Sequence, residues 1–154
     1  MPQSLTLLCP TSTTLRDLAA VCRQRFPGAV KEFEDQNRAT VVQISVRDQL
    51  SVSISRSTME EFGAAEYEEN DDLVADFRRI VWERTHFWIC FSDFDLVRSI
   101  LAAILETQAD PATCWMDTDY GWVIRGDQIL EAIRVDPDWD WRHDNLAKVP
   151  PTSR

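Results

Sequence analysis

The chain has 154 residues, 44% of them hydrophobic and 27% charged, a balance typical of a globular domain and unlike a disordered, collagen-like or Cys-dense chain. Sixteen Lys and Arg against 26 Asp and Glu leave a formal net charge of -10, which disfavours nucleic acid or an anionic membrane as a partner and favours a basic one. The apolar runs are all shorter than a bilayer-spanning helix, and residues 1–10 carry no basic group ahead of Leu5, Leu7 and Leu8, so a cytoplasmic location without a secretory signal is expected.

Leu5 to Cys9 reads as a strand, followed by turn and cap chemistry at Pro10 and Thr11 to Thr14. Leu15, Leu18, Ala19, Cys22 and Phe26 then mark one face of a helix that ends at Pro27-Gly28. From Val30 to Arg56 the period changes to two. Turn clusters at Asp35-Gln36-Asn37 and Arg47-Asp48-Gln49 divide this stretch into three strands of an antiparallel meander, with Ser51, Ser53 and Ser55 on a solvated face.

Ser57 and Thr58, three residues before Glu60 and Glu61, open a capping box. Leu73, Val74, Phe77, Ile80, Val81 and Arg84 follow the helical template, and His86 to Ser92 reads as a central strand buried on both faces. Ser92 or Asp93 caps a strongly apolar helix from Phe94 to about Gln108, stopped by Asp110-Pro111. Cys114 to Asp117 and Trp122 to Ile124 form a hairpin. A last helix starts near Gly126-Asp127 and turns Ile129, Leu130 and Ile133 inward.

The order β-α-β-β-β-α-β-α-β-β-α predicts an α+β fold, a mostly antiparallel sheet with helices on one face. Residues 1–148 are expected to form a single domain and residues 149–154 a flexible tail. Cys9, Cys22, Cys90 and Cys114 lie scattered inside predicted elements and read as small buried hydrophobes rather than a disulfide frame or metal site.

Two constellations point to binding. Glu60, Glu61, Glu66, Glu68, Glu69, Asp71 and Asp72 flank Phe62 and Tyr67 with no basic residue among them. This is either a charged rim around aromatic anchors or a solvated face. Near the C-terminus Trp139, Asp140 and Trp141 alternate acid and indole; the two Trp either stand exposed at an interface or fold back over the sheet.

Chemistry is less visible. Asp117-Thr118-Asp119-Tyr120-Gly121 departs from the calcium-loop template, because its glycine falls early and position twelve is Gln128, so it reads as a turn. No nucleophile elbow, H-E-x-x-H or phosphate-cradling glycine loop is present, so no catalytic residue, metal or cofactor is expected.

Trp88 to Leu130, an aromatic strand, a capped apolar helix and then CWMDTDYGWVIRGDQIL, resembles the C-terminal half of small acidic bacterial immunity proteins of polymorphic toxin systems. The resemblance implies a cytoplasmic antitoxin that docks on a cognate toxin domain and blocks it. Net charge adds the expectation that this domain is basic. Two rivals stand beside it: a metal-assisted hydrolase or transferase using Asp117 and Asp119, and a structural or chaperone-like subunit pairing through an open edge at Ser51–Ser55.

Overall fold

A computed structural model describes residues 3–57, 80–118 and 123–143. Strand β1 (Gln3–Pro10) leads to helix α1 (Leu15–Arg25), then to the meander β2 (Val30–Glu34), β3 (Thr40–Val46) and β4 (Gln49–Ser57). A 3-10 turn (Val81–Glu83) enters β5 (Arg84–Phe91), followed by α2 (Phe94–Glu106) and a second 3-10 turn (Pro111–Thr113). Strands β6 (Trp115–Asp117) and β7 (Val123–Arg125) and helix α3 (Gly126–Val135) complete the order. The fold is α+β as expected.

All strand pairs are antiparallel and form one sheet in the order β2-β3-β4-β5-β1-β6-β7. The aromatic and β-branched β5 is its central strand. The alternation that marked the strands divides the sheet into two faces. Leu5, Leu7, Cys9, Val42, Ile44, Val52, Ile54, Phe87, Ile89 and Phe91 point inward and pack under the helices, against Leu18, Cys22, Val97, Ile100, Leu101, Ile104 and Ile129. Apolar side chains at these spacings leave water together, the dominant stabilising term at roughly 25 cal/mol per Å².

The outer face holds a row across six strands, Phe33, Val41, Ser55, Trp88, Thr6 and Asp117. Phe33 and Trp88 are exposed there, so β5 is not buried on both faces as its composition suggested: aromatic content did not distinguish a covered face from an open one. The helical template over residues 73–84 also ends differently. Val81 lies in a 3-10 turn and Arg84 already belongs to β5, where its Nε donates to the Thr113 carbonyl at 2.9 Å.

Local chemistry sets the element ends. Thr14 and Asp17 form a reciprocal capping box on α1, the Asp17 amide donating to Thr14 Oγ1 at 3.1 Å and the Thr14 amide to Asp17 Oδ2 at 2.9 Å. Asp93 rather than Ser92 caps α2, accepting from the Leu96 amide at 3.0 Å. Arg47 and Asp48 join β3 to β4 with φ of +56° and +62°, the mirror-image turn whose twist matches a two-residue hairpin. No described helix is long and apolar enough to cross a membrane.

Candidate functional site

The inner face of the sheet has two ends, and a depression opens at each. The larger, about 770 Å³, lies between the β3–β4 turn, the start of α2 and the segment after α3. Its wall comes from Val46, Arg47, Gln49 and Ser51 on one side and Ser92 to Asp95 with Arg98 on the other; Asp138, Asp140 and Arg142 close it.

The segment after α3 is shaped by its aspartates. Asp136 Oδ1 accepts from the Asp138 amide at 3.0 Å and Asp140 Oδ1 from the Arg142 amide at 2.9 Å, two successive Asx turns. The turns send alternate residues to opposite sides. Trp139 and Trp141 go inward, at 4% and 0% exposure, while Asp138 faces solvent and Asp140 and Arg142 line the cleft. Of the two readings of the indoles the structure shows the one in which they fold back: Trp139 and Trp141 are core side chains and not exposed partner-binding residues, and Asp136 and Asp140 make turns rather than an exposed acidic and aromatic patch. Trp141 packs at 4.4 Å from the Phe94 ring and 6.1 Å from Phe91, and Trp139 at 5.8 Å from Trp141.

Two arginines stand over this aromatic floor. Arg142 lies 4.2 Å from the Phe94 centroid and grips Asp140 at two points, Nε to Oδ1 at 2.9 Å and Nη2 to Oδ2 at 2.6 Å. This fork holds the Asp140 carboxyl below the usual carboxylate range. Arg98, buried on α2, lies 5.2 Å from the same ring and donates to the Trp139 carbonyl at 3.1 Å. Its Nη2 is 2.5 Å from Asp95 Oδ1 and 3.9 Å from Asp138 Oδ1. One guanidinium thus serves two carboxylates, whose side chains are 86% and 96% exposed. Asp93, Asp95, Asp138 and Asp140 against Arg47, Arg98 and Arg142 leave the lining one charge negative, with Arg47 in no ion pair among the described residues.

The Ser51 hydroxyl donates to the Gln49 carbonyl at 3.1 Å and the Ser92 hydroxyl to the Leu50 carbonyl at 3.5 Å, and among the described residues neither His nor Cys is part of the lining, His143 standing behind Asp140 at 3.9 Å.

Of the residues expected to bind a partner, Asp140 lies at this cleft, Trp139 and Trp141 beneath it, and Glu60, Glu61, Phe62, Glu66, Tyr67, Glu68, Glu69, Asp71 and Asp72 outside the described residues. Asp117 is half-buried on β6 and Asp119 lies outside the description. Among the described residues no three His, Cys, Asp or Glu side chains cluster as a metal site. The open edge at Ser51–Ser55 is corrected: β4 is bonded to β3 and β5 on its two sides, and the sheet ends at β2 and β7. Sequence reasoning missed Phe94, Asp95, Arg98 and Arg142. The available signal was an arginine amid the apolar positions 96, 97, 100 and 101 with an aspartate three residues before it.

No protein-family model, curated protein or solved structure matches the chain.

Proposed function

We propose that the protein is a binding and inhibitory protein, an immunity protein of the cytoplasm, that docks on a basic bacterial toxin domain. The observation that carries the reading is the sharing of Arg98 between Asp95 and Asp138 at the mouth of the cleft. The two exposed carboxylates are only half neutralised by a buried cation, so a partner's Arg or Lys entering there gains charge pairing without displacing a complete ion pair. Phe94, with Trp141 packed against it, gives the cleft a rigid aromatic base, the kind of surface on which an inserted side chain becomes a hot spot. A net charge of -10 adds long-range attraction for a basic domain. Close charge pairs at such interfaces couple by roughly 1.5–7 kcal/mol.

The test is protection. The chain is co-expressed with each toxin domain encoded beside its own gene, as wild type and as the Asp95→Asn/Asp138→Asn double variant. One toxin should be silenced by the wild type, through a complex that weakens as salt rises from about 50 to 300 mM. The double variant should bind that toxin less tightly and with a shallower salt dependence. A reading of inhibition is wrong if no neighbouring toxin is silenced, and the cleft is the wrong surface if the double variant binds and protects as the wild type does.

A further inference from the structure

At the opposite end of the inner face lies a second depression, of about 400 Å³, built from different chemistry. Thr40 begins β3, Arg56 is the last residue but one of β4 and Thr85 the second of β5, so three neighbouring strands bring their ends to one place. The N-terminus of α1 completes it, with Thr11, Thr14 and Leu15 on the wall. No carboxylate lines it among the described residues, in a chain where acids outnumber bases by ten.

The donors there are uncommitted. Thr85 is only 8% exposed, its side chain lines the cavity, and its hydroxyl makes no hydrogen bond among the described residues. That hydroxyl is therefore free to donate to a ligand oxygen in the cavity. The Arg56 guanidinium forms no ion pair among the described residues. The amides of Leu15 and Arg16, in the first turn of the eleven-residue α1, have no backbone acceptor and point along the positive end of the helix. Thr14 Oγ1 accepts from the Asp17 amide, which leaves its hydroxyl proton available, whereas the Thr13 hydroxyl is already given to Gln108 Oε1 at 3.3 Å. Asp17 engages the Thr14 amide and leaves those of Leu15 and Arg16 alone.

We propose that this cavity binds the phosphoryl group of a small molecule. A guanidinium, the Leu15 amide at the helix N-terminus and several hydroxyls are more donors than a single carboxylate needs and suit the three terminal oxygens of a phosphate. A volume of about 400 Å³ exceeds one phosphate and leaves room, beside Leu15 and Ala39, for the group it is attached to. The site is separate from the acidic cleft and opposite to it in charge.

The experiment titrates the full chain with inorganic phosphate and with glycerol 3-phosphate, against acetate at matched ionic strength, following the Leu15 and Arg16 amide resonances. Both phosphates should move these two amides and saturate, and acetate should not. A tighter constant for glycerol 3-phosphate assigns the site to an organic phosphate; equal constants assign it to the free ion. Arg56→Gln, at an exposed position, and the isosteric Thr85→Val should each weaken binding by roughly tenfold or more, the loss of one hydrogen bond to a charged group. The proposal is overturned if acetate shifts the amides as phosphate does, if neither phosphate shifts them at about 20 mM, or if Arg56→Gln binds as the wild type.

Discussion

His86 shows how burial sets the chemistry of a single residue. It lies on the outer face of β5, flanked in the sheet by Leu8, and its Nε2–H donates to the Val81 carbonyl at 2.6 Å. Burial pushes its pKa below the ordinary 6.5, against the opposite pull of that hydrogen bond, and Arg56 lowers it further. The unfolded chain therefore binds this proton more readily than the folded one. The His86 contribution is complete above pH 6.5 and is lost as pH falls through the lower folded value. Urea unfolding between pH 8 and pH 5 should show the wild type losing stability on acidification more steeply than His86→Gln; equal slopes would remove His86 from the account. Burial governs the Cys22 and Cys90 thiols in the same way, whereas Cys9 and Cys114 answer first to the hydrogen bond between them. Cys9, Cys22 and Cys114 are buried and Cys90 half-buried, all four unbridged, and burial pushes the Cys22 thiol up to about 11. That much was legible, because apolar neighbours at helical and strand spacing surrounded each one.

At the scale of elements, helices announced themselves by period and caps. The 15–25 and 94–106 helices follow from their apolar spacing and from Thr14 and Asp93. The start of α3 depends on something the sequence shows less directly. A Cβ at Gly126 would collide with the Pro111 carbonyl oxygen and come within 3.0 Å of Leu105 Cδ2 and 3.1 Å of Cys114 Cβ, while the Gly126 amide donates to the Cys114 carbonyl at 2.8 Å. Here glycine is required by close approach, which pins α3 to the second 3-10 turn and to β6. Gly126→Ala should destabilise the fold by about 1–3 kcal/mol, the usual cost of overpacking, as read from the midpoint of chemical denaturation. The segment after α3 was not legible because it has no helical or strand period of its own. Asp136 and Asp140 encode Asx turns, and only the packing surface of Phe91 and Phe94 decides that the indoles turn inward.

For the whole molecule, the fold class followed from the alternation of elements, whereas the acidic cleft did not. Arg98 and Arg142 are 44 positions apart and meet only because α2 and the C-terminal segment share the Phe94 ring. A net charge of -10 adds self-repulsion in the compact state, while the ion pairs of the cleft are partly buried and screened less. Raising NaCl from about 10 to 150 mM should therefore raise Tm by about 2–4 °C, the equivalent of 1 kcal/mol for a chain of this size, and KCl should match it. A fall in Tm would mean that attractive pairs dominate the electrostatics.

The position of β1 carries a temporal consequence. Although first in the sequence, it is an interior strand, paired on one side with β5 through Gln3 and Phe91 and on the other with β6 through Thr6 and Asp117. During synthesis the β2–β4 meander can pair within itself as soon as it is made, whereas β1 must wait for residues some seventy-five to a hundred and ten positions downstream. Closing the sheet is thus among the last events of folding, with the loop-closure cost of distant pairing met before its reward. Until β5 and β6 have emerged the apolar residues of β1 remain without a sheet, and the nascent chain carries an unpaired apolar strand that is prone to aggregate.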